Sequence, residues 1–400
     1  MSAGSSLALQ LIGKSDLITV VDPETTFWQY SFQAHSPFQI EPKRFEFAGL
    51  PEYGRLNTCE LKRTADFWKQ VYLCLHVDKL DSGNGGARFV EDVGRAMIES
   101  VVLEIGNISF DTKQGEILHI EEELDTLTEN QYGRLTGKSQ SVAQLTDWAK
   151  REQFLMVPLT FWWFKVPYPI VAAFLTEPKI KLRLKKKEDL IVSTGGPYTV
   201  TANDAKILDG YIHVECVLLE EGERNFVADS QNVYVIEQTQ LETKTLTTGA
   251  TSQKIQFQVN HPVRELIVVA RANSNTSAKN YFNFAGQEAG VFQGDLFKSL
   301  SLKINGNERW EPQNPLYHRI IQPKQYHTRI PQKHIYVYSF ALNPETPNPN
   351  GSVNFSRIEN ASLEFTFTAA LTEPYDLFIY AKNHNSASIE KGVTRMAFAS

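Results

Sequence analysis

The stretch that decides the fold is residues 298–367, which read KSLSLKINGNERWEPQNPLYHRIIQPKQYHTRIPQKHIYVYSFALNPETPNPNGSVNFSRIENASLEFTF. It contains three runs in which apolar and polar residues alternate: 300–304, 334–342 and 361–367. In the first run, Leu300, Leu302 and Ile304 fall on one face of a strand, because side chains along a strand alternate sides with a period of two. Each run therefore predicts a half-buried β-strand.

A proline-rich segment separates the second run from the third. Residues 343–350 contain Pro344, Pro347 and Pro349. Proline has no backbone N–H group, so it can neither complete a ladder of hydrogen bonds nor continue a helix. The sequence therefore predicts a stiff surface loop between two strands.

Four short motifs follow one another in this stretch. Asn305-Gly306 ends the first strand, QPKQYHTRIP occupies 322–331, YSFAL occupies 338–342 and NFSRIENA occupies 354–361. In type and order they resemble the second jelly roll of the major capsid proteins of nucleocytoplasmic large DNA viruses and of related smaller viruses, the virophage and polinton-like relatives. The resemblance implies a jelly roll, whereas the strand pattern alone predicts only a β-sandwich.

The two halves of the chain share a strand pattern. Aligning Ser100 with Ser299, an offset of 199 residues, superimposes apolar positions: Leu103 on Leu302, and Ile105 on Ile304. Each copy is followed by a polar stretch, an apolar strand (156–164 or 336–342), a loop with proline, and another alternating strand (179–184 or 362–367). A last strand is predicted near 211–218 in one half and 375–381 in the other. Duplication of one all-β unit accounts for this order.

The polar segment 220–225 is the natural boundary between the halves. We therefore predict an all-β protein of two consecutive eight-stranded jelly rolls (a double jelly roll) with few short helices. The predicted divisions are an N-terminal arm at 1–24, a first jelly roll at 25–222 and a second jelly roll at 223–400.

The first half contains further predicted elements. Strands are expected at 45–47, 55–62, 71–77, 100–105, 154–164 and 170–184, a helix at 144–153, and a glycine-rich loop at 81–86. Phe161, Trp162, Trp163 and Phe164 would place rings on both faces of one strand. Residues 26–30 and 35–38 resemble, in part, the first-strand motif of the capsid family.

The composition excludes several classes of protein. The chain has 400 residues and a formal net charge of -6, so it lacks the basic excess of a protein that coats nucleic acid. The three cysteines lack metal-ligand spacing and are expected to be small buried groups. No secretory signal is recognised, and residues 154–175 are interrupted by Lys165 and three prolines, so a soluble protein is predicted.

Two charged runs are predicted to lie on the surface. The acidic run Glu121, Glu122 and Glu123 is predicted to be a solvated face. Residues 179–184 alternate basic with apolar side chains. Their basic face could contact an inner membrane or the genome of a virion, but a solvated strand face is the preferred interpretation.

The sequence contains no pattern specific for catalysis. G-x-S-x-G, P-loop, H-E-x-x-H and C-x-x-C patterns are absent from it, so we predict no enzyme and no catalytic, cofactor-binding or metal-binding residues. His318, His327 and His334 could form a cupin-like metal site, but His327 matches a position of the capsid motif. The residues 161–164 could alternatively be a sugar-binding platform, although packing is preferred. Five formal glycosylation sequons are predicted to be unused: Asn107, Asn275, Asn350, Asn354 and Asn360.

The resemblance implies a structural function. A major capsid protein of this family is expected to form homotrimers that act as pseudo-hexagonal capsomers in the icosahedral shell of a double-stranded DNA virus. The implied partners are other copies of the chain, minor capsid and penton proteins, and an internal membrane, with no sequence-specific nucleic acid. The implied location is the virion, with assembly in the host cytoplasm. The alternative is a soluble carbohydrate-binding or carbohydrate-hydrolysing β-sandwich.

Overall fold

The computed structural model describes residues 34–80, 87–125, 132–138, 141–193, 199–201, 203–286 and 294–398, and the single positions 13, 22, 24, 26 and 28. The chain divides into a unit of residues 1–37 and a unit of residues 38–400. All strands named below belong to the second unit. The predicted loop 81–86, most of the predicted arm 1–24 and most of the motif at 26–30 lie outside the described residues.

The first half forms two antiparallel four-stranded sheets. Their orders are β1-β10-β3-β7 and β2-β8-β5-β6, and β4 pairs with β9. The strands are β1 (Phe38–Glu46), β2 (Leu56–Glu60), β3 (Phe67–Val77), β4 (Ala87–Phe89), β5 (Ile98–Ile105), β6 (Ile108–Lys113), β7 (Gln153–Pro158), β8 (Pro178–Leu184), β9 (Ile191–Ser193) and β10 (Ile207–Leu219).

The second half repeats this arrangement. Its sheets have the orders β11-β19-β13-β16 and β12-β18-β14-β15, while β17 adds to β13 and β20 to β19. The strands are β11 (Asn232–Leu246), β12 (Ser252–Phe257), β13 (Pro262–Ala272), β14 (Phe297–Ile304), β15 (Asn307–Gln313), β16 (Tyr336–Ser339), β17 (Val353–Asn354), β18 (Ala361–Phe367), β19 (Tyr375–Glu390) and β20 (Val393–Met396).

Each half therefore has the topology of a jelly roll. When the short strands β4, β9, β17 and β20 are set aside, eight strands remain among the described residues of each half. Numbered within their half, they form sheets of order 1-8-3-6 and 2-7-4-5 in both cases. Eight strands in two sheets with this winding make a jelly roll. The predicted double jelly roll is confirmed.

The offset of 199 residues is also confirmed. It superimposes β5 on β14, and each is followed by a tight turn into its hairpin partner. In these turns Gly106 and Asn107 have φ values of 59° and 65°, and Asn305 and Gly306 have φ values of 49° and 83°. Glycine and asparagine tolerate this left-handed backbone better than other residues, which explains why the motif contains this pair.

Helices occur mainly in the connections. In the described part of the chain the α-helices are Val93–Ala96, Gly115–Asp125, Tyr132–Thr136, Val142–Ala149, Glu221–Asp229, Asn273–Ser277 and Gln322–Tyr326, and Tyr317–Ile321 is a π-helix. The helix predicted at 144–153 exists but begins earlier, because the Ser141 side chain accepts a hydrogen bond from the Gln144 N–H group and caps its start. It ends at Ala149, since the chain enters β7 at Gln153.

The strand predicted over residues 161–164 is wrong. Strand β7 ends at Pro158, and Trp162–Phe164 is a 3₁₀-helix. Its rings pack inward: the Trp163 ring centroid lies 6.0 Å from that of Trp68 and 5.4 Å from that of Tyr168. Residues 170–177 form turns and irregular backbone rather than a strand. Among the helices of the described residues, none combines the length and apolar composition that crossing a bilayer requires.

Two apolar cores hold the fold together. The second core lies between the two sheets of the second half and includes Val268, Leu302 and Phe365. The first core fills the first half, but it continues into residues of the second half such as Ile267 and Tyr380. The two jelly rolls are therefore packed against each other. The three cysteines are buried and unbridged, as predicted: Cys59, Cys74 and Cys216.

Candidate functional site

The helix Gly115–Asp125 lies between the two jelly rolls. It follows β6 and reads GEILHIEEELD, with residues 115–124 all buried. The prediction that the acidic run is a solvated face is wrong, because Glu121, Glu122 and Glu123 are only 4%, 7% and 1% exposed. Burying three carboxylates is unfavourable unless each is paired with a cation or hydrogen-bonded. The surrounding cations explain how this helix can be buried.

The first jelly roll supplies one set of cations. Lys113 Nζ lies 2.8 Å from Glu121 Oε1, and Arg95 Nη1 lies 2.6 Å from Glu122 Oε2. Lys138 forms an ion pair with Glu123. Each carboxylate of the run thus has a basic partner within its own jelly roll.

The second jelly roll supplies a further set. Glu116 Oε1 lies 3.2 Å from Arg271 Nη1, and Glu121 Oε1 lies 3.5 Å from Lys382 Nζ. Glu123 Oε2 accepts a hydrogen bond of 3.1 Å from the Gln332 N–H group. The helix therefore joins the two jelly rolls through its carboxylates.

A histidine on the same helix makes an aromatic contact across the junction. The His119 ring stacks on Phe282 of the second jelly roll, with centroids 4.1 Å apart and an interplanar angle of 16°. His119 Nδ1 lies 2.7 Å from Asp92 Oδ2, and Arg95 Nη1 lies 3.0 Å from the same oxygen. Although burial opposes the charged carboxylate, these two partners hold the pKa of Asp92 well below its usual range.

His327 forms a second charged cluster at the end of the helix. Its Nε2 atom lies 3.1 Å from Glu265 Oε2, and its Nδ1 atom lies 3.2 Å from Glu345 Oε1 and 3.8 Å from Asp125 Oδ1. Burial alone would lower the pKa of this imidazole, but the three carboxylates, with Glu265 the strongest, raise it to about 10. His327 is therefore an imidazolium at neutral pH.

Lys382 connects the two clusters. Its Nζ atom lies 3.1 Å from Glu265 Oε1 and 3.5 Å from Glu121 Oε1, and the side chain is 4% exposed. Burial disfavours the charged amine, but Glu265 and Glu121 raise its pKa above the usual range. Burial raises the pKa of the neighbouring Glu237, but the nearby cations, Lys165 first among them, lower it by more. The resulting pKa of Glu237 is about 2. We call these residues, together with the helix, the junction network.

A cavity of about 300 Å³ adjoins the junction network. It is lined by acidic, basic and apolar side chains, including Glu121, Glu237, Lys165, Lys382 and Phe164. Charged groups of both signs surround it, and they are already paired with one another. This lining does not resemble the exposed aromatic platform that the alternative carbohydrate-binding hypothesis requires.

Two groups of side chains have the composition of a metal site. They are Asp92, His119 and Glu122, and Asp125, His327 and Glu345, with potential ligand atoms in each group within 4.8 Å of one another. A metal would need a neutral imidazole with a free lone pair. In the second group the imidazole is held as a cation by Glu265, and in the first group Arg95 occupies the space between the carboxylates. The residues therefore fit ion pairs better than a metal.

The other histidines singled out by the sequence have different surroundings. His318 is buried beside Trp310, with its Nδ1 atom 3.4 Å from the Val337 carbonyl oxygen, and burial lowers its pKa to about 4. His334 precedes β16. Only His327 of the three belongs to the junction network.

The basic strand face at 179–184 is paired with carboxylates of neighbouring strands. Lys179 Nζ lies 2.9 Å from Glu60 Oε1, and Arg183 Nε lies 3.0 Å from Glu99 Oε2. The preferred interpretation, a solvated strand face, remains a prediction. Hydrogen bonds within the loop 343–350 hold its two ends together. The Asn350 side chain donates to the Asn343 carbonyl oxygen (2.8 Å) and accepts from the Asn343 N–H group (3.1 Å).

The sequence prediction missed the helix Gly115–Asp125, which we call the junction helix, although a signal was present. Ile117, Ile120 and Leu124 recur at helical spacing and are fully buried. The charged residues between them predicted a solvent-exposed face instead. The cations that make burial tolerable are up to 261 residues away in the chain, from Glu121 to Lys382, so their role could not be inferred from local pattern.

Comparisons with known proteins agree with this fold. Residues 223–394 match the family "Large eukaryotic DNA virus major capsid protein", and residues 26–233 match "Major capsid protein N-terminus". The major capsid protein of Pyramimonas orientalis virus is 28% identical, over 99% of this chain and 99% of its own. That of Phaeocystis pouchetii virus is 26% identical, over 99% of this chain and 100% of its own. A chain of the PBCV-1 virus capsid has the same fold, with a TM-score of 0.80 and 22% identity over 94% of this chain and all of its own.

The two repeated sheet topologies place the chain in the double jelly-roll class. The family matches cover almost the whole length of the chain. The chain belongs to the family of large eukaryotic DNA virus major capsid proteins.

Proposed function

We propose that this chain assembles into homotrimers, and that the trimers are pseudo-hexagonal capsomers of the icosahedral shell of a double-stranded DNA virus. The observation that carries the proposal is the repeat of one topology in two jelly rolls that are fixed to each other by the junction network. Three chains with two similar jelly rolls each supply six similar units around one axis.

The junction network has a specific task in this proposal. A six-membered ring closes only if the angle between the two jelly rolls of each chain is fixed. Buried ion pairs have strict geometric requirements, and removing one partner leaves an uncompensated charge. The pairs Glu116–Arg271 and Glu121–Lys382 would therefore hold the two jelly rolls at one relative orientation.

The proposal includes a division of the chain. We place the arm at 1–24, the first jelly roll at 25–222 and the second at 223–400. In support, strands of the described residues pair either within 38–219 or within 232–396, and the exposed helix Glu221–Asp229 joins the two groups.

Location and further partners follow from the capsid role. The protein would reside in the shell of the virion after assembly in the host cytoplasm. Besides other copies of itself, minor capsid and penton proteins and an internal membrane are the proposed partners.

The test is the mass of the purified chain in solution, measured by light scattering over a dilution series. The chain mass is 45.3 kDa, and a trimer of about 136 kDa that persists on dilution is expected, because obligate interfaces are large and apolar. A folded chain that stays monomeric at every concentration would overturn the trimer.

A further inference from the structure

The chain contains three Asn-Gly pairs, at residues 84–85, 305–306 and 350–351. An Asn-Gly pair is prone to spontaneous deamidation, because glycine has no Cβ atom to shield its backbone nitrogen from the asparagine carboxamide. The pair at 84–85 lies outside the described residues. The other two pairs belong to the second jelly roll, and their surroundings differ.

The turn Asn305-Gly306 is accessible. It joins β14 to β15 in a tight hairpin, in which Ile304 pairs with Asn307, and both turn residues are exposed. A Cβ atom on Gly306 would have no other atom within 4 Å. Among the described residues, nothing accepts a hydrogen bond from the Gly306 N–H group. This backbone nitrogen is therefore free to attack the neighbouring carboxamide.

The Asn305 carboxamide is hydrogen-bonded at its oxygen only. Its Oδ1 atom accepts a hydrogen bond of 3.1 Å from the Asn360 N–H group, and the Asn305 N–H group donates to the Asn360 carbonyl oxygen at 2.8 Å. No group in the described part of the chain accepts from the Asn305 Nδ2 amide. A donor at the carbonyl oxygen stabilises the negative charge that develops there when the carbon is attacked. The nitrogen, which must leave in that reaction, is unbonded.

The pair Asn350-Gly351 is held by hydrogen bonds. The Asn350 Nδ2 amide donates to the Asn343 carbonyl oxygen (2.8 Å) and to Thr346 Oγ1 (2.9 Å), and its Oδ1 atom accepts from the Asn343 N–H group (3.1 Å). A Cβ atom on Gly351 would lie 2.8 Å from the Phe340 carbonyl oxygen. Attack at this carboxamide would require these hydrogen bonds to open and packed backbone to move. The same dipeptide is therefore protected here.

The equivalent turn of the first jelly roll lacks the Asn-Gly order. The offset of 199 residues places Gly106 on Asn305 and Asn107 on Gly306, so the two residue types are reversed. The residue after Asn107 is Ile108, which is β-branched and pairs with Ile105 in the ladder between β5 and β6. Its nitrogen cannot approach the Asn107 carboxamide without disturbing this ladder. The two jelly rolls therefore differ in reactivity at this turn.

We propose that Asn305 is a site of spontaneous chemical modification, converted to aspartate and isoaspartate through a succinimide formed with the Gly306 nitrogen. The nitrogen gives up its proton to a base in the solvent and bonds to Asn305 Cγ, and Nδ2 takes up a proton and leaves as ammonia. Water then opens the ring. Attack of water at Cγ gives aspartate, and attack at the main-chain carbonyl gives isoaspartate, while the ring nitrogen regains a proton. The net reaction consumes one water and releases one ammonia, with no oxidation or reduction.

The modification would change both the charge and the geometry of the turn. It adds a carboxylate to the exposed tip of the hairpin, near Glu308, which pairs with Lys303 at 3.5 Å. In isoaspartate the main chain is one carbon longer, so the two-residue turn between Ile304 and Asn307 no longer has its hairpin geometry. Because the reaction needs no enzyme, the modified fraction would increase with the time since the chain was made.

The experiment follows conversion in the folded, full-length chain by peptide mapping with mass spectrometry, which detects replacement of the amide NH₂ group by OH. A parallel incubation in heavy-oxygen water separates conversion in the folded chain from conversion during digestion. We expect Asn305 to be converted more than about tenfold faster than Asn350, because three hydrogen bonds must open at Asn350. The rate at Asn305 should rise with pH, since the attacking nitrogen must lose its proton.

The matched control is the same chain unfolded in urea. Without the fold, both asparagines have only a following glycine in common, and they should be converted at similar rates. Equal rates at Asn305 and Asn350 in the folded chain, or conversion of Asn305 in urea alone, would overturn the proposal. A rate difference in urea as large as that in the folded chain would also overturn it, because the fold would then not select the site.

A variant tests the need for glycine after the asparagine. N305G/G306N gives the turn the Gly-Asn order of residues 106–107, so the hairpin should be retained and circular dichroism should match the wild type. The peptide that contains this turn should then remain unmodified under conditions that convert the wild type. Conversion of this peptide at the wild-type rate would contradict attack by the Gly306 nitrogen.

Discussion

The Nε2 atom of His327 lies 3.1 Å from Oε2 of Glu265, and the two side chains are 1% and 0% exposed. Glu265 is on β13 and His327 follows the helix Gln322–Tyr326, so this pair ties the connection between β15 and β16 to the sheet that faces the first jelly roll. Asp125, at the end of the junction helix, completes the contact from the other side. His327, a position of the capsid-family motif, is thus part of the contact between the two jelly rolls.

The first prediction concerns the pH dependence that His327 confers. Its pKa is raised from an ordinary value of 6.5 to about 10 in the folded chain. A raised pKa contributes stability that is complete below pH 6.5 and is lost as the pH rises to about 10. We expect the urea midpoint of the wild type to fall over this range, and that of H327Q to be lower at pH 6.5 but less dependent on pH.

The control for this measurement is His76, which lies on the surface of the first jelly roll beside Glu152. The variant H76Q should retain the wild-type decline between pH 6.5 and 10. A wild-type midpoint that is constant over this range, or an H327Q profile parallel to the wild type, would contradict the assigned charge of His327.

The second prediction concerns Lys382 and Glu121. Removing one member of a buried ion pair leaves an uncompensated charge and typically costs about 3–5 kcal/mol. We therefore expect K382M and E121Q each to lower the free energy of unfolding by an amount in this range. Because Lys382 also faces Glu265, the double variant should be less destabilised than the sum of the single effects but should not recover fully.

The matched control is K179M, because Lys179 also forms a close ion pair, 2.9 Å from Glu60, but on an exposed strand face. Its urea midpoint should remain close to that of the wild type. Equal destabilisation by K179M and K382M would mean that burial does not distinguish the junction network from surface pairs.

How well the sequence predicts a strand depends on what the two faces of that strand contact. The third alternating run was predicted at 361–367, and β18 has the same bounds, because one of its faces meets the core and the other is more exposed. By contrast, β13 has buried residues at ten consecutive positions, 263–272. One face lies in the second core and the other against the first jelly roll, so the alternation that marks a strand disappears.

The charged residues of the junction network illustrate the same limit. A run of glutamates has the same local pattern whether it faces solvent or distant cations. Glu116 and Glu121 meet Arg271 and Lys382, which the fold brings together only after both jelly rolls have formed. Motif resemblance identified the fold class, but it gave no information on these pairings.

The third prediction concerns Gly115, where the junction helix begins. A Cβ atom at this position would lie 1.9 Å from the Arg95 carbonyl oxygen, which is backbone and cannot move aside without shifting its strand connection. We expect G115A to be strongly destabilised or to fail to accumulate as soluble protein. G49A is the control, because a Cβ atom there has no other atom within 4 Å. A G115A variant with the wild-type urea midpoint would refute the close packing of the helix against Arg95.

The last prediction concerns Asp111, which accepts a hydrogen bond of 3.1 Å from the Thr239 N–H group of the second jelly roll. Burial raises the pKa of this carboxyl from 3.8 to about 7. A raised carboxyl pKa makes the folded state bind the proton more tightly than the unfolded state, so its contribution to stability falls as the pH rises from 3.8 to about 7. Asparagine can keep the hydrogen bond to Thr239 without ionising. The difference in unfolding free energy between D111N and the wild type should therefore grow in favour of the variant from pH 4 to pH 7 and then level off, whereas a difference independent of pH would show that Asp111 titrates normally.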